Sequence, residues 1–350
     1  MSLAWLNKPV SIINNDYVVA ARQHQNNLTK PQGSLGVLED IAVRLSAMYS
    51  CARPAVDQVH IVIFVADHGV AAENVSAFPQ AVTVEMVRNF SRGGAAICVL
   101  AKQLNADLEV VNVGTVLEHE TLEGVIVQRI AAGTRNFANQ PAMTVEQLSQ
   151  ALAAGSAAVE RAKKFSAQLF IGGDMGIANT TSATAIVCAL LNEKPEVMAG
   201  PGTGLDKAGV AHKAEVIQRA LDLHTAAMKT PVDVLQHVGG FEIAALTGAY
   251  LACAQSGLPA VVDGFISSAA ALVAIKINPQ VKDWLLFAHA SAEPGHKIML
   301  QAMHVKPLLD MNMRLGEASG AAVVVPILRM ACALHSGMAT FNQAQVSNKL

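Results

Sequence analysis

VHIVIFVADHG, residues 59–69, is apolar at seven of its first eight positions, His60 being the exception, and then turns polar at Asp67 and His68 before Gly69. The run is rich in Val and Ile and shows no alternation between apolar and polar. A strand with that composition is covered on both faces, as in a parallel sheet between helices. Similar short runs recur in LEVVNVG (108–114), AQLFIGGDMG (167–176), PAVVDGF (259–265) and WLLFAHAS (284–291). Ala-rich segments with helical spacing lie around them at 84–104, 144–164, 180–192, 207–228, 241–256 and 266–277. Strand alternating with helix in this way predicts βαβ units.

The expected fold is therefore α/β, with a doubly wound, Rossmann-like parallel sheet. Residues 16–50 read as helical, with apolar positions three and four apart in LGVLEDIAVRLSAM. They and the tail after about 292 have no partner strands in this reading. They are expected to pack together as a smaller helical domain, 1–55 with 292–350, beside an α/β catalytic domain at 56–291. The sequence shows no internal repeat, low-complexity tract or linker.

Composition narrows the function. Apolar residues make up 52% of the 350 and charged residues 15%, against about 25% charged in ordinary soluble proteins. Such a chain buries a large core and is expected to bury surface in an oligomer. With a net charge of −2 and no basic run, there is no footprint for nucleic acid. Five cysteines (Cys51, Cys98, Cys188, Cys253 and Cys332) form no CxxC, so reduced core thiols are expected rather than disulfides or a zinc cluster. The N-terminal stretch has no basic start followed by an apolar run, and the apolar segment 258–275 is broken by Asp263, Gly264, Ser267 and Ser268. No signal peptide or membrane span is expected, and the location is expected to be cytoplasmic.

Four expected strand ends carry polar residues or glycines: Asp67-His68, Gly172-Gly173-Asp174, Asp263-Gly264 and His289 to Ser291. Ligands of open α/β sheets sit beyond the carboxyl ends of the strands, so these groups point to one crevice. GPGTGLDKAGVAHK (200–213) places Gly200, Gly202 and Gly204 before a helix. That arrangement suits an anion on backbone N–H groups, and equally suits a plain turn. It matches neither the Walker pattern nor GxGxxG. In GGDMGIANTTSA (172–183), Asn179, Thr180 and Thr181 can be simple helix caps. Asp174, at the end of a buried strand, is harder to explain without a polar ligand. Asp67 and His68 are neighbours on an extended chain and so point apart, which favours a structural hydrogen-bonding role for His68. KPQGSLGVLE (30–39) reads as a turn with capping.

One carboxylate stands out. LLDMNMRLGEASGAA (308–322) places Glu317 between Gly316 and Gly320 in mostly apolar chain, where a carboxylate is costly unless paired or used. It is either a helix-start glutamate favoured by the dipole or a general base with a raised pKa. The residues alone leave both open.

Taken in order, several segments carry a resemblance. They are KPQGSLGVLE, ADHGV, GTRNFA with the AM at 142–143, GGDMGIANTT (172–181), VGGFEIAALTGA (238–249), LPAVVDGFISSAAAL (258–272), HASAEPGH (289–296) and MRLGEASGAA (313–322). Each is weak alone; together, from about residue 25 to about 340, the chain resembles the nicotinate-nucleotide–dimethylbenzimidazole phosphoribosyltransferases, which make the lower-ligand nucleotide of cobalamin.

The resemblance implies transfer of 5-phosphoribose from nicotinate mononucleotide to 5,6-dimethylbenzimidazole, giving α-ribazole 5′-phosphate and nicotinate. It implies that Glu317 is the single general base, that the substrates are these two small molecules, and that neither a metal nor a cofactor is needed. Asp174, Gly176, Asn179, Thr180, Gly202, Gly204 and Lys213 align with the mononucleotide and phosphate side. Phe78, Pro79, Met86, Met313 and Leu315 align with the base pocket. Some members carry serine and glutamine at the positions of Phe78 and Met86, and glutamate at Asp174. The family also implies a homodimer whose partner subunit helps close the site. Two other readings compete: a nucleoside or phosphoribosyl hydrolase in which Glu317 activates water, and a nonenzymatic nucleotide-binding regulator with no use for Glu317.

Overall fold

The computed structural model describes residues 3–347. Among the described residues eight strands form: β1 Val59–Ala66, β2 Asp107–Gly114, β3 Val125–Val127, β4 Leu169–Met175, β5 Ala260–Val262, β6 Leu285–Phe287, β7 His289–Ala290 and β8 Leu309–Asp310. The first six make one sheet in the order β3-β2-β1-β4-β5-β6, and every pairing in it is parallel. The order reverses between β1 and β4, which is the switch point where α/β sheets open a crevice. All eight residues of β1 are buried. Helices cover both faces, so the absence of alternation in the sequence follows from position.

Several expected elements appear with small shifts: Val145–Lys164, Asn179–Leu191, Lys207–His224, Phe241–Ser256 and Phe265–Ile277 are helices. The expected helix 84–104 is two, Ala81–Ser91 and Ala96–Leu104, interrupted where Gly93 takes φ 77°. The run 284–291 also divides. β6 ends at Phe287, and β7 leaves the main sheet to pair with β8. The tail after 292 thus supplies a strand, too short to show a period. β3 is likewise three residues at a sheet edge.

Helices Val145–Lys164 and Phe241–Ser256 lie against each other, and Phe241–Ser256 covers β1 and β4. The helix–helix contact is backbone to backbone: a Cβ on Gly155 would stand 1.8 Å from the Ala245 carbonyl oxygen, and one on Gly248 2.1 Å from that of Leu152. At the far end of the chain, helix Ser319–Gly337 packs on helices Val37–Tyr49 and Ala96–Leu104 and touches β4. By length and composition alone this helix could cross a membrane, although half of its apolar window is buried inside the protein. Its Arg329 donates to the carbonyls of Val56, Leu104 and Asp57, and it is a packed element of this fold. In the 30–39 turn, Lys30 and the Leu35 N–H both donate to Glu39 Oε1. The turn is held by a buried ion pair.

Candidate active site

A cavity of about 300 Å³ opens at the carboxyl ends of β4 and β5. Its wall includes Asp174, Gly176, Ile177, Asn179 and Thr180 from the end of β4, and Gly202 and Thr203 from the Gly-rich loop. Asp263, Phe265, His289 and Glu293 line it from the ends of β5 and β7; Arg314, Leu315, Gly316 and Glu317 complete it.

Glu317 reaches the cavity on an unusual backbone. Gly316, Glu317 and Ala318 all have positive φ, at 87°, 58° and 60°, a geometry that costs non-glycine residues roughly 1–2 kcal/mol each. Neighbouring elements hold it. β4 can approach the turn because position 173 is glycine: a Cβ there would lie 2.7 Å from the Ala318 nitrogen. Gly320 is required by packing on β7, since a Cβ on it would meet His289 Cδ2 at 2.1 Å. Strain that surrounding structure holds in place is common at functional sites.

Glu317 is 6% exposed, and its Oε2 has no hydrogen-bond partner among the described residues. Burial pushes its carboxyl from 4.5 up to about 7, and the charge of Asp263 pushes the same way. Asp174 is raised well above its usual range, first by burial and then by Asp263 and Glu242. Asn179 Nδ2 donates to Asp174 Oδ2 at 3.0 Å, and Ser267 Oγ lies 3.4 Å from Oδ1.

Lys213 is wholly buried behind the wall rather than in it. Its Nζ donates to Thr180 Oγ1 at 2.8 Å and to the Gly200 carbonyl at 3.3 Å. Burial pulls its pKa from 10.5 down to about 8, opposed by Glu293. Glu293 accepts the Gly202 N–H at 3.1 Å, and Arg314 donates to the Gly202 carbonyl at 3.1 Å. Three charged side chains from different segments thus hold the Gly-rich loop by its backbone.

The other positions marked in the sequence lie around this wall. Phe78 and Leu315, 50% and 59% exposed, stand at the cavity mouth. Gly204, Pro79, Met86 and Met313 are not among the lining residues; Met86 packs on the core, and the Met313 carbonyl accepts the Ala292 N–H. Asp67 and His68 are scaffold: Asp67 accepts the Val116 N–H, and His68 Nε2 lies 2.6 Å from Glu242 Oε1. Reading the sequence assigns no role to Glu293 or Arg314, though both sit in quoted motifs; a charged residue in a strand-end motif is the available signal.

A carboxylate of raised pKa beside cation-held glycine loops, at the switch point of a doubly wound sheet, fits an enzyme of sugar-phosphate group transfer. Residues 10–346 match the family model described as phosphoribosyltransferase. Among curated relatives, the nicotinate-nucleotide–dimethylbenzimidazole phosphoribosyltransferase of Pseudomonas aeruginosa is 55% identical over 349 residues, covering 100% of this chain and 99% of its own. That of Xanthomonas euvesicatoria pv. vesicatoria is 57% identical over 348 residues, 99% of this chain and 100% of its own. A crystal structure of the enzyme of that name from Thermus thermophilus superposes with a TM-score of 0.91 at 42% identity, covering 96% of this chain and 100% of the other. The chain belongs to the nicotinate-nucleotide–dimethylbenzimidazole phosphoribosyltransferase family, and it is an enzyme of that kind.

Proposed function

We propose that the protein transfers the 5-phosphoribosyl group of nicotinate mononucleotide to 5,6-dimethylbenzimidazole, in assembly of the cobalamin nucleotide loop, with Glu317 as general base. The observation that carries this reading is Glu317 itself: a buried carboxylate with a free oxygen, poised near neutrality, on a cavity wall shared with Phe78, Ile177, Phe265 and Leu315. A base near pH 7 is well matched to proton removal at neutral pH.

The chemistry asks for one base only. Glu317 takes the N–H proton of the azole as its other nitrogen attacks C1′ of the ribose. The bond from C1′ to the pyridinium nitrogen breaks, and its electron pair neutralises that nitrogen as nicotinate leaves. Attack opposite the leaving group turns the β-nucleotide into α-ribazole 5′-phosphate. On this reading the phosphate lies near Gly176, Asn179 and Thr180 at a helix start and near Gly202 and Gly204, with Lys213 supplying charge. Asp174 faces the ribose side. Phe78 and Leu315 flank the base at the cavity mouth, Pro79, Met86 and Met313 belong to its surroundings outside the lining, and no metal or cofactor takes part.

The same reading carries a homodimer, a cytoplasmic location, and the division into 1–55 with 292–350 and 56–291. Two features support a dimer. Phe78 and Leu315 leave the base side open to solvent, and an apolar groove on helix Ser319–Gly337 is lined by Met330, Ala333, Leu334, Gly337 and Met338. The bridge between Leu28 and Thr340 joins the two chain ends and supports the division.

The test is direct. The purified protein with nicotinate mononucleotide and 5,6-dimethylbenzimidazole should yield nicotinate and α-ribazole 5′-phosphate together, followed by chromatography and mass, and neither without the base. Nicotinate released without the base would make it a hydrolase instead.

A further inference from the structure

We propose that Asp263 is a positioning residue for Glu317: it docks the helix that begins just after Glu317 onto the end of β5 and keeps a second negative charge beside that carboxylate. This rests on Glu317 being the base.

Helix Ser319–Gly337 has no cap of its own, because Ala318 at its N-cap offers no side-chain acceptor. The acceptor comes from far back in the sequence: Asp263 Oδ1 takes the Ala321 N–H at 2.8 Å. A carboxylate at a helix N-terminus is favoured by the free N–H groups and the dipole. A neutral amide oxygen would serve as well for the hydrogen bond alone. Asp263 is nonetheless a carboxylic side chain, 1% exposed, and its Oδ2 has no partner among the described residues. Burial raises its pKa, while His289 and the N–H groups of Ala321, Gly320 and Ala318 pull it back toward the charged form; the free Oδ2 belongs to a residue that lines the same cavity as Glu317.

The groups around Glu317 define what that carboxylate does. Asp174 faces the cavity from β4, Asp263 from the end of β5, His289 from β7, and Glu293 from the loop after it. Cys98, on helix Ala96–Leu104, interacts electrostatically with Glu317. Arg314, on the same segment as Glu317, and Lys213, behind the wall, are both turned to carbonyls of the Gly-rich loop. After burial, Asp263 is the charge that raises Glu317. His289 Nε2 lies 3.9 Å from Asp263 Oδ1 and opposes the effect of burial on Asp263. Its neighbour His296 is fixed neutral. The Ser291 N–H donates to His296 Nδ1, leaving Nε2 to donate to Ser268 Oγ, and burial pulls its pKa to about 3. His289 and Asp263 therefore face each other beneath the base.

Kinetics against pH test this. Asp263→Asn keeps an oxygen for the Ala321 N–H and removes the charge. The acid limb of kcat/KM should move down by about one pH unit. His289→Gln removes the group that favours the charged form of Asp263, and the limb should likewise move down. A limb unmoved in Asp263→Asn would make Asp263 only a cap and overturn the proposal. Should that variant not fold, an unmoved or raised limb in His289→Gln does so. Glu317→Gln separates the two readings. An acid limb that survives there removes Glu317 as base. A limb lost there yet fixed in Asp263→Asn removes only the role of Asp263.

Discussion

Lys213 Nζ stands 2.8 Å from Thr180 Oγ1, tying the helix after the Gly-rich loop to the first turn of the helix after β4. The ammonium has no carboxylate within ion-pairing distance among the described residues, and burial brings its pKa to about 8. Its charge is present below that value and lost as pH rises through it. The KM for nicotinate mononucleotide should therefore climb above about pH 8, with kcat little changed. Lys213→Arg should flatten the climb, because a guanidinium keeps its proton there. A wild-type KM that stays flat well above pH 8 would take Lys213 out of phosphate binding.

Glu317 should cost stability in return for its chemistry. Its folded-state pKa of about 7 lies above the ordinary 4.5, so the folded state holds the proton more tightly. Stability then falls as pH rises from 4.5 through about 7 and levels off beyond. Glu317→Gln mimics the protonated form. It should be more stable than wild type at pH 8, by at most roughly 3 kcal/mol, and about equal at pH 4. Urea unfolding at the two pH values measures the gap; the same gap at both would mean that the charge is not its origin.

Gly155→Ala tests the closeness of two helices. Alanine in a helix interior gains about 1 kcal/mol over glycine. Here the new methyl would overlap the Ala245 carbonyl, and overpacking costs about 1–3 kcal/mol, more against backbone. The clash wins, and the thermal midpoint should drop. A raised midpoint would mean that the helices separate freely.

Met330, 54% exposed on helix Ser319–Gly337, tests the dimer. Met330→Asp should shift sedimentation toward a monomer and lower turnover, because the base side then lacks its cover. A wild-type protein that sediments as a monomer at working concentration contradicts the dimer outright.

Legibility follows the physics of each element. β1 and β4 are readable because strands buried on both faces are uniformly apolar, and the expected limits differ from the observed ones by a few residues. β3, β7 and β8 span only two or three residues, too few for any period. Asp174 and Glu317 are visible as carboxylates in apolar surroundings. Asp263 and His289 are visible as strand-end groups, but Asp263 acts on a helix 58 residues away. Glu293 and Arg314 act on Gly202 across 91 and 112 residues. Such contacts belong to the folded chain and leave no local pattern.

The left-handed turn at 316–318 also restricts how this site can change over generations. Few side chains accept such a backbone; branched ones fit it badly, and those that fit readily, such as asparagine, aspartate and glycine, lack either the reach or the basicity of glutamate. Point mutations at 317 therefore lead almost nowhere useful. Selection for a different acceptor or a different working pH would instead act on the ring of residues around it, where side chains can be exchanged.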